Sequence, residues 1–198
     1  MCSSDLDITP VALTVTADAK SRTYDGTTFT AFSSTITGFV NSETESVITG
    51  TVTYEGSATT AVNAGSSTIT PVVSGLSATN YTFTPANGTL TIGTRTLTVT
   101  GADATDRPYD GSSSVAITGA LLQGVVEGDD VSLATLTGTV VSANAGTGKA
   151  VTTELTLTGD DAANYALTQP AGITVDITPV ALTVTADAKS RTYDGTTF

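Results

Sequence analysis

Acidic side chains are the residues of this 198-residue chain whose type and spacing could do chemistry. Two clusters of neighbouring carboxylates occur, at 127–130 (EGDD) and at Asp160-Asp161. Glycosidases use paired carboxylates as acid and base, but they also need a cleft with several aromatic or polar sugar contacts. Aromatic residues make up only 6% of the chain. The composition therefore predicts a protein that is not an enzyme.

Nucleophilic chemistry is excluded by the residue counts. A serine triad needs a histidine, and the chain has none. The only cysteine is Cys2, in a stretch outside the repeats described below, so neither a zinc site of His and Cys nor a disulfide within the chain can form. We therefore predict no catalytic residues and no metal site.

Calcium remains open as a cofactor, because carboxylate oxygens suit this ion. Asp103, Asp106 and Asp110 lie close together in the sequence, and Asp7 and Asp176 precede the starts of two repeats. However, no D-x-D-x-D-G loop occurs, and acidic loops are usually solvated. The expectation is a chain without a cofactor, with calcium as the alternative.

The net charge of −12 restricts the partners. A surface of this sign repels phosphate backbones and anionic lipid headgroups, so we expect no nucleic-acid partner. No apolar run approaches the roughly 20 residues that a membrane-spanning helix needs. The sequence therefore predicts no membrane span.

A repeat organises the whole chain. The segment Asp7–Phe29 (DITPVALTVTADAKSRTYDGTTF) recurs without change at Asp176–Phe198, and a diverged copy lies at Ile92–Ser114. The tyrosines of the three copies are therefore 85 and 84 residues apart, which is the size of a small domain. We predict a non-repeat leader at 1–8, β-sandwich units at 9–92 and 93–177, and a truncated third repeat at 178–198, too short to bury a core.

Each unit reads as a set of short strands. Val11–Thr16 alternates apolar and polar residues, as do Thr96–Thr100 and several later segments, and Asp-Gly, Asn-Ala-Gly and Ala-Asn-Gly turns separate them. Six or seven strands in about 84 residues are typical of an all-β antiparallel sandwich. We predict tandem β-sandwich domains with an immunoglobulin-like topology.

Two tyrosine motifs are the candidate site residues. The first is a Tyr-Asp-Gly (YDG) turn after the first strand of each repeat, which we interpret as structural, with ligand binding at the loop tip as the alternative. The second is the five-residue motif D-x-A-x-Y at Asp161–Tyr165, with Ser77–Tyr81 in the same place of the first unit. Its spacing resembles that before a tyrosine corner, in which the hydroxyl bonds the corner backbone. The YDG residues are Tyr24, Asp25, Gly26, Tyr109, Asp110, Gly111, Tyr193, Asp194 and Gly195, and the corner-like residues are Tyr81 and Tyr165.

These motifs, in this order, resemble the YDG-type repeat of large bacterial surface and secreted proteins, including filamentous-haemagglutinin-like adhesins, and the similar MBG-type repeat. The resemblance covers Asp7–Phe198 and implies an extracellular β-domain of a bacterial surface or secreted adhesin that spaces or presents an adhesive region. It carries no catalytic residues to transfer. The expected partners are neighbouring repeats of the chain, with an unknown host or matrix ligand possible.

Two alternatives to the spacer function stay open. The loop tips of the repeats could bind a glycan or a host protein directly. The strand at 180–184 could instead pair with an exposed sheet edge of another chain.

Overall fold

The computed structural model describes residues 7–197, which form eighteen strands and three 3₁₀ helices. The strands are β1 (Val11–Ala17), β2 (Lys20–Thr23), β3 (Ser34–Thr37), β4 (Thr53–Glu55), β5 (Gly65–Val72), β6 (Tyr81–Ala86), β7 (Gly88–Gly93), β8 (Arg95–Thr100), β9 (Asp103–Ala104), β10 (Arg107–Pro108), β11 (Ser114–Thr118), β12 (Leu121–Gln123), β13 (Ser132–Leu133), β14 (Thr137–Val140), β15 (Gly146–Thr153), β16 (Leu157–Thr158), β17 (Tyr165–Leu167) and β18 (Thr174–Thr178). The 3₁₀ helices are Glu45–Val47, Ser57–Thr59 and Ala162–Asn164. None of the helices in residues 7–197 has the length and apolar character that a membrane crossing requires.

The first unit contains two sheets, with strand orders β3-β1-β6 and β2-β7-β5-β4. The chain passes from the first of these sheets to the second at residues 18–19, between β1 and β2. Leu13 and Val15 on β1 are completely buried, whereas Thr14 and Thr16 are exposed, which is the alternation that the sequence predicts. The second unit has sheets with orders β12-β8-β17 and β10-β18-β15-β14-β11-β9, and the pair β13-β16.

The all-β, sandwich-like class is confirmed, but the finer topology differs from the expectation. The sheets are mixed, because β1 runs parallel to β6, β2 to β7, β8 to β17 and β10 to β18. In an immunoglobulin domain the first strand lies at a sheet edge. Here β1 lies between β3 and β6, so the immunoglobulin arrangement is not the observed one. The alternation of apolar residues shows that a segment is a strand, but not in which direction its neighbours run.

Two clusters of buried side chains form the core. One lies inside the second unit, around Val115, Ile117 and Val175. The other crosses from one unit to the other: Ile69, Leu90 and Ile92 of the first unit belong to the same cluster as Leu97 and Tyr165 of the second. The two units therefore share apolar packing at the place where β7 leads into β8.

The identical segments at the two ends of the chain have different structures. Residues 11–17 form β1, whereas residues 179–197 contain no strand. Leu182 and Val184, which correspond to the buried Leu13 and Val15, are 92% and 96% exposed. The strand forms only where partners such as β3 and β6 are present.

Candidate functional site

The YDG motif forms a tight turn in which the aspartate accepts hydrogen bonds from the residue two positions later. Asp25 Oδ1 accepts from the Thr27 backbone N–H at 3.0 Å and from the Thr27 hydroxyl at 2.8 Å. Gly26 has φ +75°, a left-handed conformation that glycine adopts without steric cost. Arg22 reaches over the turn and donates to Asp25 and to the Thr27 carbonyl. The corresponding turns are Arg107, Asp110, Gly111 and Ser112 in the second repeat and Arg191, Asp194, Gly195 and Thr196 in the third.

These hydrogen bonds hold the aspartates in their charged form. Donation from Thr27 holds the pKa of Asp25 below its usual value, and the backbone N–H of Ser112 does the same for the pKa of Asp110. The motif is therefore held by its own side chains, which supports the structural interpretation of Asp25 and Gly26.

The tyrosine of the first turn lies between the two units. Tyr24 is only 2% exposed, and its ring contacts the ring of Tyr165 edge-on, with the centroids 5.4 Å apart. Its backbone N–H donates to Gly93 O at 2.8 Å, which fixes the turn at the last residue of β7. Tyr24 thus belongs to a contact between units, which we call the joint.

Asp129 is the polar centre of the joint. Its Oδ2 accepts a hydrogen bond from the Tyr24 hydroxyl at 2.9 Å and from the Tyr165 hydroxyl at 2.5 Å. The Tyr165 oxygen in turn accepts from the Val126 N–H at 2.9 Å. Burial, together with the adjacent carboxylate, raises the pKa of Tyr24 to about 12, and burial also raises the pKa of Tyr165. Both phenols are therefore neutral donors at neutral pH.

Asn164 makes a second polar contact across the joint. It is buried, and its Oδ1 accepts a hydrogen bond from the Ala64 N–H at 2.8 Å. Its Nδ2 donates to Asn63 Oδ1 at 3.3 Å. The recurring Asn-Ala-Gly segment of the first unit thus contacts the residue that precedes the tyrosine of the second.

Gly26 also contacts the second unit closely. A Cβ atom built on Gly26 would lie 2.9 Å from Val126 Cγ1. A Cβ built on Gly111 would have only the hydroxyl of Tyr109 near it, at 3.9 Å. The glycine of the first turn is therefore required both for its backbone conformation and for the approach of Val126.

Tyr81 occupies the same position in the first unit as Tyr165 does in the second. Its hydroxyl donates to Glu43, and its oxygen accepts from the Val40 N–H at 3.2 Å. The hydrogen bond to Glu43 raises the pKa of Tyr81. The tyrosine-corner expectation needs a correction, because both hydroxyls bond the backbone of a loop 41 or 39 residues earlier and not the adjacent corner. A five-residue motif cannot indicate a partner so distant in sequence.

The remaining candidate residues are not brought together. Tyr109 is 45% exposed and Tyr193 is 90% exposed, so neither has the environment of Tyr24. Within residues 7–197, no three His, Cys, Asp or Glu side chains are grouped so as to hold a metal ion. Of the calcium candidates, Asp106 accepts from the Asp176 N–H at 2.7 Å, and Asp176 accepts from the Gly148 N–H at 2.7 Å. These two carboxylates thus bond backbone donors.

Sequence reasoning missed three residues of the joint. Asp129 lies in an acidic run whose composition predicts a solvated loop. Asn63 and Asn164 belong to segments that recur in both units, and their sequence alone indicates no contact. One signal was present: an acidic residue precedes the Asn-Tyr tyrosine by 38 residues in the first unit and by 36 in the second. The polar groups of the joint bond one another and the backbone, so the arrangement binds one unit to the next.

Comparison with known families divides the chain as the repeat does. Residues 13–91 match the MBG domain (YGX type), and residues 93–172 match the YDG domain. The chain is a tandem of YDG/MBG-type repeats, which confirms the resemblance seen in its motifs. No curated protein and no solved structure matches the chain.

Proposed function

We propose that this chain is a non-catalytic spacer segment of a bacterial cell-surface or secreted adhesin, which extends or presents an adhesive region outside the cell. The joint is the observation that carries the proposal. A spacer of defined length benefits from a fixed arrangement of its domains, and the joint combines shared apolar packing with hydrogen bonds to Asp129 and Asn164. Domains joined by a linker alone would move independently.

Direct ligand binding by the YDG turns is the competing function. The first turn argues against it, because Tyr24 is buried in the joint and cannot contact a ligand. If the chain is a spacer, the exposed Tyr109 is a joint residue as Tyr24 is, and its partner is a unit other than the two described. The tandem of two related domains also supports a role in which the number of units, and hence length, matters.

Small-angle X-ray scattering of the full chain tests the spacer function. The unaltered chain should scatter as two units in one arrangement, whereas Tyr24→Ala should require a range of arrangements. Tyr109→Ala changes the same motif outside the joint and should scatter as the unaltered chain does. Equal scattering from all three proteins would contradict a role for the joint in holding the units.

The adhesin context needs a separate measurement. Sequencing through the parent gene should show further YDG units between a secretion signal and a distinct terminal domain. If the gene encodes only these units and no other domain, the loops must do the binding themselves, and the spacer function is wrong.

A further inference from the structure

One parallel pairing runs along the whole length of the first unit. β1 runs parallel to β6, and β2 runs parallel to β7. In both pairings the residue opposite each position lies 70 positions later, since Val11 faces Tyr81 and Thr23 faces Gly93. The four strands therefore form two long segments, β1–β2 and β6–β7, in a single register. We call these two segments the parallel pair.

The second unit contains the same arrangement. β8 runs parallel to β17 and β10 to β18, and the offset is again 70 positions, since Arg95 faces Tyr165 and Pro108 faces Thr178. The paired strands differ in sequence between the units, for example KSRT in β2 and RP in β10. The parallel pair is therefore a property of the fold of the repeat and not of identical residues.

Hydrogen bonds close the parallel pair of the first unit at both of its ends. The Val11 N–H donates to Asn80 O at 2.9 Å, where the two segments begin. The Tyr24 N–H donates to Gly93 O at 2.8 Å, where they end. The ladder between the segments thus extends from one end of the unit to the other.

The parallel pair also carries side chains of the core. Leu13 and Val15 on one segment and Leu90 on the other are completely buried. On their other sides, β1 pairs with β3 and β7 pairs with β5. Because protein interiors are closely packed, one segment cannot slide past the other without displacing these side chains and breaking the ladder.

The path of the chain decides how the parallel pair is loaded. The chain enters the first unit at the start of β1 and leaves it at the end of β7. Because the segments run parallel, these two points lie at opposite ends of the pair, and tension pulls the segments past each other along their length. The bonds of a parallel ladder are evenly spaced along the strands, so tension loads them together. In an antiparallel pair the two points would lie at one end, and the bonds would open one after another.

We propose that the parallel pair is a load-bearing clamp, which keeps each unit folded when the chain is pulled along its length. The inference rests on the proposed spacer function and adds a mechanical one, because a spacer between a cell and an attached surface transmits the pulling force. Forced unfolding is governed by the rate of unfolding and not by the free energy of unfolding. The clamp therefore makes unfolding slow along this direction and faster along others.

Pulling the first unit along two directions tests the clamp. In the full chain with Cys2→Ser, one protein carries handles at Thr9→Cys and Thr94→Cys, just outside the parallel pair. The other carries handles at Thr51→Cys and Ser74→Cys, at the open end of the antiparallel pair β4-β5. All four handle positions are exposed. At the same constant force in magnetic tweezers, the first protein should extend at least about tenfold more slowly, because several hydrogen bonds must break at once.

Two neighbouring proline substitutions test the ladder itself. β2 is the edge strand of its sheet, and N–H groups alternate in direction along a strand. The Lys20 N–H therefore points to β7, as the Tyr24 N–H does, whereas the Ser21 N–H points away from the sheet, where proline is tolerated. Lys20→Pro should raise the extension rate between the outer handles about two- to tenfold, and Ser21→Pro less than about twofold. Lys20→Ala keeps the N–H and controls for the loss of the lysine side chain.

Neither proline should change the extension rate between residues 51 and 74, because these handles do not load β2. Equal rates along the two directions would overturn the proposal, and so would an equal acceleration along both directions by Lys20→Pro, which indicates a general loss of stability. If circular dichroism shows that Lys20→Pro does not fold, the comparison of the two directions still decides. The scattering test of Tyr24 applies no force, so a weak parallel pair would leave the spacer function standing.

Discussion

Tyr24 and Tyr109 occupy the same position of the repeat, yet one is buried and the other is half-exposed. The turns around them are built alike, with an arginine three residues before the aspartate and a glycine at positive φ after it. The difference between the tyrosines comes from the neighbour: Tyr24 meets Asp129 and Tyr165 of the next unit. The environment of a repeated residue is therefore decided by the unit that follows it.

Removing the Tyr24 hydroxyl tests the polar centre of the joint. Tyr24→Phe keeps the ring contact with Tyr165 but removes one hydrogen bond to a carboxylate, and should lower the free energy of unfolding by about 1–2 kcal/mol. Tyr109→Phe, measured in the same urea titration, should change it by less than about 0.5 kcal/mol. A loss of equal size in both variants would show that the hydroxyl acts within the turn and not across the joint.

The tyrosine pKa values predict an alkaline limit to the stability of the joint. The pKa of Tyr24 is about 12 in the folded chain, against about 10 for an unfolded tyrosine. Because the folded state disfavours the phenolate, this contribution to stability is complete below pH of about 10 and is lost as the pH rises towards 12. In a titration followed by phenolate absorbance, Tyr24→Phe should remove a late-titrating group. A late phase of ionisation that is unchanged in Tyr24→Phe would contradict the buried position of Tyr24 in the joint.

At the scale of strands, close packing between the two sheets of the first unit makes a glycine necessary on β7. A Cβ atom on Gly88 would lie 2.3 Å from the Ala17 carbonyl oxygen, at the end of β1. The other end of the same strand has more room, since a Cβ on Gly93 would be 3.8 Å from its nearest neighbour, the Arg22 oxygen. Neither glycine has a positive φ angle, so the two differ in the space around them and not in the sign of φ.

Gly88→Ala should therefore destabilise the first unit, and Gly93→Ala should not. Overpacking of this kind costs about 1–3 kcal/mol, because backbone atoms must shift to admit the methyl group. Urea titrations of both variants measure the difference, and far-ultraviolet circular dichroism checks that each folds. Two equal losses would indicate that a general strand preference, and not the contact with Ala17, sets the cost.

The strands themselves were predictable, but their arrangement was not. Alternation identifies β1 and β8 and their buried leucines, because one face of each strand must be apolar. Alternation does not show that β1 lies between β3 and β6, or that Asp129 accepts hydrogen bonds from two tyrosine hydroxyls. Such contacts depend on residues that are far apart in the sequence. The C-terminal copy makes the same point, because residues 179–197 repeat residues 10–28 letter for letter and form no strand, whereas residues 11–17 and 20–23 form β1 and β2.

At the scale of the whole molecule, the joint couples the stabilities of the two units. One apolar cluster includes Leu90 and Ile92 of the first unit and Leu97 and Tyr165 of the second, so exposing one unit also removes packing from the other. We expect the chain to unfold in a single transition, in contrast to domains connected by a linker alone.

Substitution of the equivalent glycines of the first two YDG turns, Gly26 and Gly111, distinguishes the coupling between units from backbone strain in the turn. Gly26→Ala and Gly111→Ala place a methyl group at nearly the same positive φ, 75° and 79°, but only the first meets Val126 across the joint. Both should pay the backbone cost of about 1 kcal/mol. Gly26→Ala should in addition separate the calorimetric transition into two, because the methyl group forces the units apart. If Gly111→Ala splits the transition equally well, turn strain is responsible and the units are not coupled through this contact.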